Sequence, residues 1–174
     1  REIPLIVSLA AVAAVSRVPF ASFPSVQPTT FIVLISGFVF GPFLGCAVGA
    51  LAAFVSNCLL LQGPWTPWQM LAWGLAGLSG GVLGRYFPFA PKAALTAAGF
   101  LWGFLFGWIM NFWYWTAFAY PLNWQTWCAV NLASFWFDAA HAATNALLIF
   151  FFGNSFRRIL DRYRLKWSAG SALK

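Results

Sequence analysis

Long apolar stretches, broken by short clusters of proline, glycine and amides, set the layout of this chain. The first run predicts a helix over residues 4–18, stopped by Pro19, and the polar segment ASFPSVQP (21–28) follows. A short apolar helix is predicted at 29–41, turned by Pro42 into a second at 43–61. After QGPWTP (62–67) come helices at 68–84 and 93–115, separated by RYFPFAPK (85–92). AYPLNW (119–124) precedes the last, at 127–153, and a basic tail closes the chain. None of these runs alternates with the two-residue period of a half-buried strand. A membrane-spanning helix needs about 20 mostly apolar residues, because lipid leaves every backbone group to be satisfied within the segment. The expected fold is an all-α integral membrane protein. It is a compact bundle of six transmembrane helices over residues 1–153, with a basic cytoplasmic tail at 154–174.

Composition supports a bilayer as the solvent: 61% of the residues are hydrophobic and 7% charged, against about 25% charged in ordinary globular domains. A formal net charge of +7 would raise nucleic acid as a partner for a soluble protein. Here the basic residues instead gather at one end of the predicted bundle. Arg85 and Lys92 flank one loop, Arg157, Arg158, Arg162, Arg164 and Lys166 follow the last span, and Arg1 stands at the start. Lysine and arginine collect in cytoplasmic loops, so both termini are expected in the cytoplasm and no nucleic-acid partner is expected. The chain opens at Arg1 without Met, so preceding sequence is expected to be missing. Its first apolar run reads as a span and not as a signal peptide. Cys46, Cys58 and Cys128 have no CxxC spacing, which points to neither a disulfide framework nor a metal site.

Polar groups inside spans are costly and therefore informative. Asn131, Asp138, His141 and Asn145 fall on one helical stripe. Asp138 is the only acidic residue within a span, and Arg17 is a possible partner. Asn57 and Asn111 lie at similar depth. Around the outer loops stand Trp65, Trp68, Trp73, Trp113, Trp115, Tyr120, Trp124 and Trp127, among Gln27, Gln62, Gln69, Asn123 and Gln125. Interfacial belts account for part of this set. The remainder describes an apolar pocket with a few amides, suited to a flat or bulky, mostly neutral ligand. The candidate ligand-binding residues are Arg17, Gln27, Asn57, Trp65, Trp68, Gln69, Asn111, Trp115, Tyr120, Asn131, Phe135 and Asp138. Small residues at four-residue spacing (Gly99, Gly103 and Gly107; Gly77, Gly80, Gly81 and Gly84; Gly45, Gly49 and Ala53) predict close helix packing. One histidine, no HExxH, no nucleophile elbow and no phosphate-binding loop argue against an enzyme, and no cofactor is expected. A small self-sufficient carrier using Asp138 and His141, or a non-transport scaffold, are the alternatives to a binding protein.

The segment GFVFGP (37–42) running into a glycine-rich helix, and QGPWTPWQMLAWGLAGLSGG (62–81), resemble the substrate-binding S component of energy-coupling factor (ECF) vitamin importers. The resemblance extends over essentially the whole chain. Ala10 and Ala14 are similar to the AxxxA face with which such components dock on their membrane coupling subunit. What the resemblance implies is a multi-pass protein of the cytoplasmic membrane that binds a vitamin from outside. It would associate with a transmembrane coupling subunit and two cytoplasmic ATPases, then topple to release its ligand inside. The ligand would sit in the outer half, closed by the loops after spans 1, 3 and 5. Little outer charge and many aromatic rings argue against an anionic vitamin such as folate. A cobalamin-type corrinoid is favoured, with riboflavin second. Cys58 or His141 could then ligate cobalt, although a packed thiol is the commoner fate of a cysteine.

Overall fold

In a computed structural model of the chain, the backbone is described for residues 2–172 and the side chains for 2–166. Arg1, expected as a cytoplasmic charge, and the last two residues of the tail lie outside the described residues. Six α-helices follow one another: α1 (Ile3–Val15), α2 (Thr29–Phe40), α3 (Pro42–Leu60), α4 (Thr66–Tyr86), α5 (Lys92–Phe118) and α6 (Trp124–Ala172), with one 3₁₀ turn at Val18–Phe20. The described residues contain no strand. Each helix lies where the apolar pattern places one.

Four segments are long and apolar enough to cross a membrane by themselves: Ile3–Phe20, Pro42–Leu60, Lys92–Phe118 and Trp124–Lys166. Helix α2 has only 12 residues, about 18 Å of helix against a hydrocarbon core of about 30 Å. Helix α4 has the length, 21 residues, but its glycines, Thr66 and Gln69 make it less apolar.

The brevity of α2 fits its position. It touches each of the other five helices, and every residue from Thr29 to Val39 is buried. On one side α1, α3 and α4 pack together; on the other α5 pairs with α6; α2 lies between, joined by an α4–α5 contact. Gly41 ends α2 with φ +101°, a conformation that glycine adopts without the penalty of a Cβ. Pro42 then fits the first turn of α3, where no helical N–H is needed. Helix α1 stops at Val15 because Pro19 cannot donate to that carbonyl and its ring crowds it. Asn123 caps α6, its Oδ1 accepting from the Thr126 N–H at 2.9 Å.

The small residues are used inside the bundle. A Cβ on Gly45 would strike the Gly77 carbonyl and one on Gly77 the Gly45 carbonyl, so α3 and α4 meet backbone to backbone there. Along α5, a Cβ on Gly103 would meet Ala142 and one on Gly107 the Asp138 carboxylate.

Helix α6 runs 49 residues without a break, about 70 Å at 1.5 Å per residue, so it carries the basic tail on as helix. Arg157 donates to the Pro88 carbonyl at 2.6 Å and Arg164 to the Val39 carbonyl at 3.0 Å. These contacts bring the basic part of α6 to the end of α2 and the α4–α5 loop. Asn145, on the polar stripe of α6, is fully buried, and neither side-chain polar atom has a partner among the described residues. An unsatisfied buried amide costs about 1–3 kcal/mol. Asn145→Leu is therefore expected to raise the melting temperature in detergent, read by near-UV circular dichroism; a fall would place an unseen partner on this amide.

Candidate functional site

Away from the basic end, the end of α1, the segment before α2, the start of α4 and facing turns of α5 and α6 enclose a cavity of about 280 Å³. Arg17, Ser25, Gln27 and Gln69 line it on one side; Phe106, Gly107, Met110 and Asn111 come from α5, and Ser134, Phe137, Asp138 and His141 from α6.

Arg17 is fixed by elements distant in sequence. Its Nε donates to Gln27 Oε1 at 3.0 Å, and its Nη1 to Ser56 Oγ and to Asn57 Oδ1, the latter at 3.0 Å. The guanidinium carbon lies 4.8 Å from the centre of the Trp73 ring, a cation–π geometry. Asn57 in turn donates to Thr66 Oγ1 at 2.9 Å and to Gln69 Oε1 at 2.8 Å. Behind the cavity, Thr30 Oγ1 accepts from Trp73 Nε1 and shares a second hydrogen bond with His141 Nε2, both at 2.9 Å. Phe106 lies between the two rings, 4.7 Å from Trp73 and 5.0 Å from His141. On the α5–α6 side, Asn111 Nδ2 donates to Ser134 Oγ at 2.7 Å and Ser134 donates to Asp138 Oδ2 at 2.9 Å. Asn111 also donates to Asn131 Oδ1 at 3.0 Å.

Of the residues expected to bind ligand, Arg17, Gln27, Gln69, Asn111 and Asp138 line this cavity, and Asn57 stands directly behind Arg17. The remainder lie elsewhere. Asn131 and Phe135 line a neighbouring groove with Trp108, Trp124 and Trp127, and Asp138 borders both spaces. Trp65 packs on Trp113, Trp68 on Phe112 and Trp115 on Trp127, while Tyr120 is exposed. The ion pair that the sequence permits between Arg17 and Asp138 is not formed.

Trp73 corrects the sequence reading differently. Grouped there with the outer-loop aromatics, it is fully buried and forms the wall beneath Arg17. Sequence reasoning passed over Ser25, Phe106, Met110, Ser134 and Phe137 as lining residues. Ser134 alone carried a signal, standing one turn before Asp138 on the same face. Cys58 is exposed on α3 and does not line the cavity, and His141 gives its Nε2 to Thr30. Ala10 and Ala14 are 2% and 0% exposed. They face the interior, so a docking partner could not reach them without moving α1.

Compared with known proteins, residues 3–152 match the family model described as ECF transporter, substrate-specific component. No curated protein and no solved structure matches the chain significantly.

Proposed function

The chain belongs to the ECF transporter substrate-specific component family, and from that premise we propose that the cavity beside Arg17 is its substrate site. Members of this family are multi-pass membrane proteins and not enzymes; they bind a small-molecule substrate and work with a transmembrane subunit and ATPases. In our reading all six helices cross or insert in the cell membrane. The basic end, with Arg85, Lys92, Arg157 and Arg158, faces the cytoplasm, as the distribution of positive charge requires. The cavity then opens toward the outside, under the segment that carries Ser25 and Gln27. The single observation that carries this reading is the gathering of Arg17, Asp138 and His141, all buried and none ion-paired among the described residues, around one cavity in an otherwise apolar bundle. Ionisable groups at such positions mark substrate paths.

The substrate is a small micronutrient. Ligand sites commonly measure about 300–1,000 Å³, so about 280 Å³ favours a molecule of one or two small rings over the cobalamin-type corrinoid. A proton relay is not supported, because Asp138 and His141 bond to different partners, Ser134 and Thr30.

Docking of the coupling subunit belongs on the exposed face of α1, where Ser8, Ala11, Val12 and Val15 leave room for a close helix. Ala11→Trp combined with Val15→Trp is expected to leave substrate binding intact and abolish co-purification with the coupling subunit. In proteoliposomes, uptake should require that subunit, the ATPases and ATP. Uptake by this chain alone, driven by a proton gradient and lost in Asp138→Asn, would establish a carrier instead.

A further inference from the structure

The site's charges approach the cavity from segments far apart in sequence, the turn after α1 and the helix α6. From that turn comes Arg17, 6% exposed. Its Nε and Nη1 are occupied by Gln27, Ser56 and Asn57, whereas Nη2 makes no hydrogen bond among the described residues. No carboxylate there lies within ion-pair distance of it; the ion pairs of Asp161 with Arg157 and Arg164 belong to the far part of α6. From α6 comes Asp138, 7% exposed, held by Ser134 at Oδ2 and approached by the Asn111 amide, with no basic side chain at ion-pair distance among the described residues. Gly107 lies against this carboxylate, where any side chain would collide with it. The same cavity is also lined by Phe106, Met110 and Phe137. A buried cation and a buried anion, each fixed by hydrogen bonds but separately unpaired, are costly unless a ligand completes them.

We propose that the substrate is a small zwitterion. Its carboxylate or phosphate would take the free face of Arg17, its protonated nitrogen would meet Asp138, and a flat apolar body would lie on Phe106 and Phe137. This rests on the cavity being the substrate site, and it replaces the mostly neutral ligand that the scarcity of outer charge suggests. Charge selection follows from the geometry. A neutral analogue leaves Arg17 unpaired, and an anion without the nitrogen sets nothing against Asp138.

The test uses a metabolite extract of cells grown in complex medium as the probe. Detergent-purified full-length protein and empty micelles are incubated with it, separated by gel filtration, and the retained small molecules identified by mass spectrometry. The expected result is a compound carrying both an acidic group and a basic nitrogen that is protonated at neutral pH. Esterifying its acidic group should weaken binding to the wild type about 100-fold or more. Acylating or removing its nitrogen should weaken binding to the wild type while being tolerated by Asp138→Asn. A retained compound without an acidic group, or one whose ester binds equally well, overturns the zwitterion and leaves the substrate site standing. Nothing retained beyond the empty micelles overturns both.

Discussion

Arg17→Gln is expected to weaken substrate binding about 100-fold or more, because truncating one member of a buried charge pair costs about 2–5 kcal/mol. Glutamine can still reach part of the amide network, so Gln27, Ser56 and Asn57 are not all left without partners. What it cannot supply is the positive charge above Trp73. Arg17→Lys should not restore binding. An ammonium has three donors around one point, whereas the guanidinium fork serves Gln27, Ser56 and Asn57 and still presents Nη2. Binding of the compound retained by the wild type, measured by isothermal titration in detergent, checks this, with gel filtration confirming that each variant is folded. Trp73→Phe is the companion variant: it keeps a ring under Arg17 and removes the hydrogen bond to Thr30, so its loss should be smaller. Affinity unchanged in Arg17→Gln would remove Arg17 from the site.

Much of this architecture was legible because lipid imposes simple demands. Six apolar runs gave six helices, and Gly41–Pro42 marked the turn between α2 and α3. Arg17 and Asp138 stood out because charge inside a span needs a reason. Which face of a helix points inward was not legible. In a soluble helix the apolar face is the inner one, but in a bilayer both faces of α1 are apolar. The choice between Ala10 with Ala14 and Ala11 with Val15 therefore depends on packing that sequence does not display. Trp73 misleads for a related reason, since interfacial tryptophans and a buried wall draw on the same residue type. The Arg17–Asp138 pair was plausible by elimination alone. The structure instead satisfies Arg17 with amides and a hydroxyl, and leaves the two charges to face a common space.

Gly77→Ala is expected to cost stability far beyond what one methyl group suggests, about 2–3 kcal/mol or more, as overpacking does when backbone must move. The added Cβ would fall on the Gly45 carbonyl, and no rotamer relieves a collision with backbone. Helices α3 and α4 would have to separate, and the damage would spread, because Gly49 is pressed in the same way against the Trp73 carbonyl. Helix α4 carries Gln69 and Trp73, so the wall beneath Arg17 would shift and substrate binding should fall with stability. Gly74→Ala provides the control. It adds the same methyl three residues earlier on the same helix, yet a Cβ there meets nothing closer than Cys46 Sγ, at 3.4 Å, an ordinary contact. Alanine is the better helix former by about 1 kcal/mol, so Gly74→Ala should be neutral or mildly stabilising. Thermal unfolding of both variants in detergent, followed by near-UV circular dichroism, separates the cases. Equal melting temperatures would mean that α3 and α4 are not in backbone contact at Gly45 and Gly77. The glycines of α4 would then reflect lipid exposure, and the position of the Trp73 wall would need another cause.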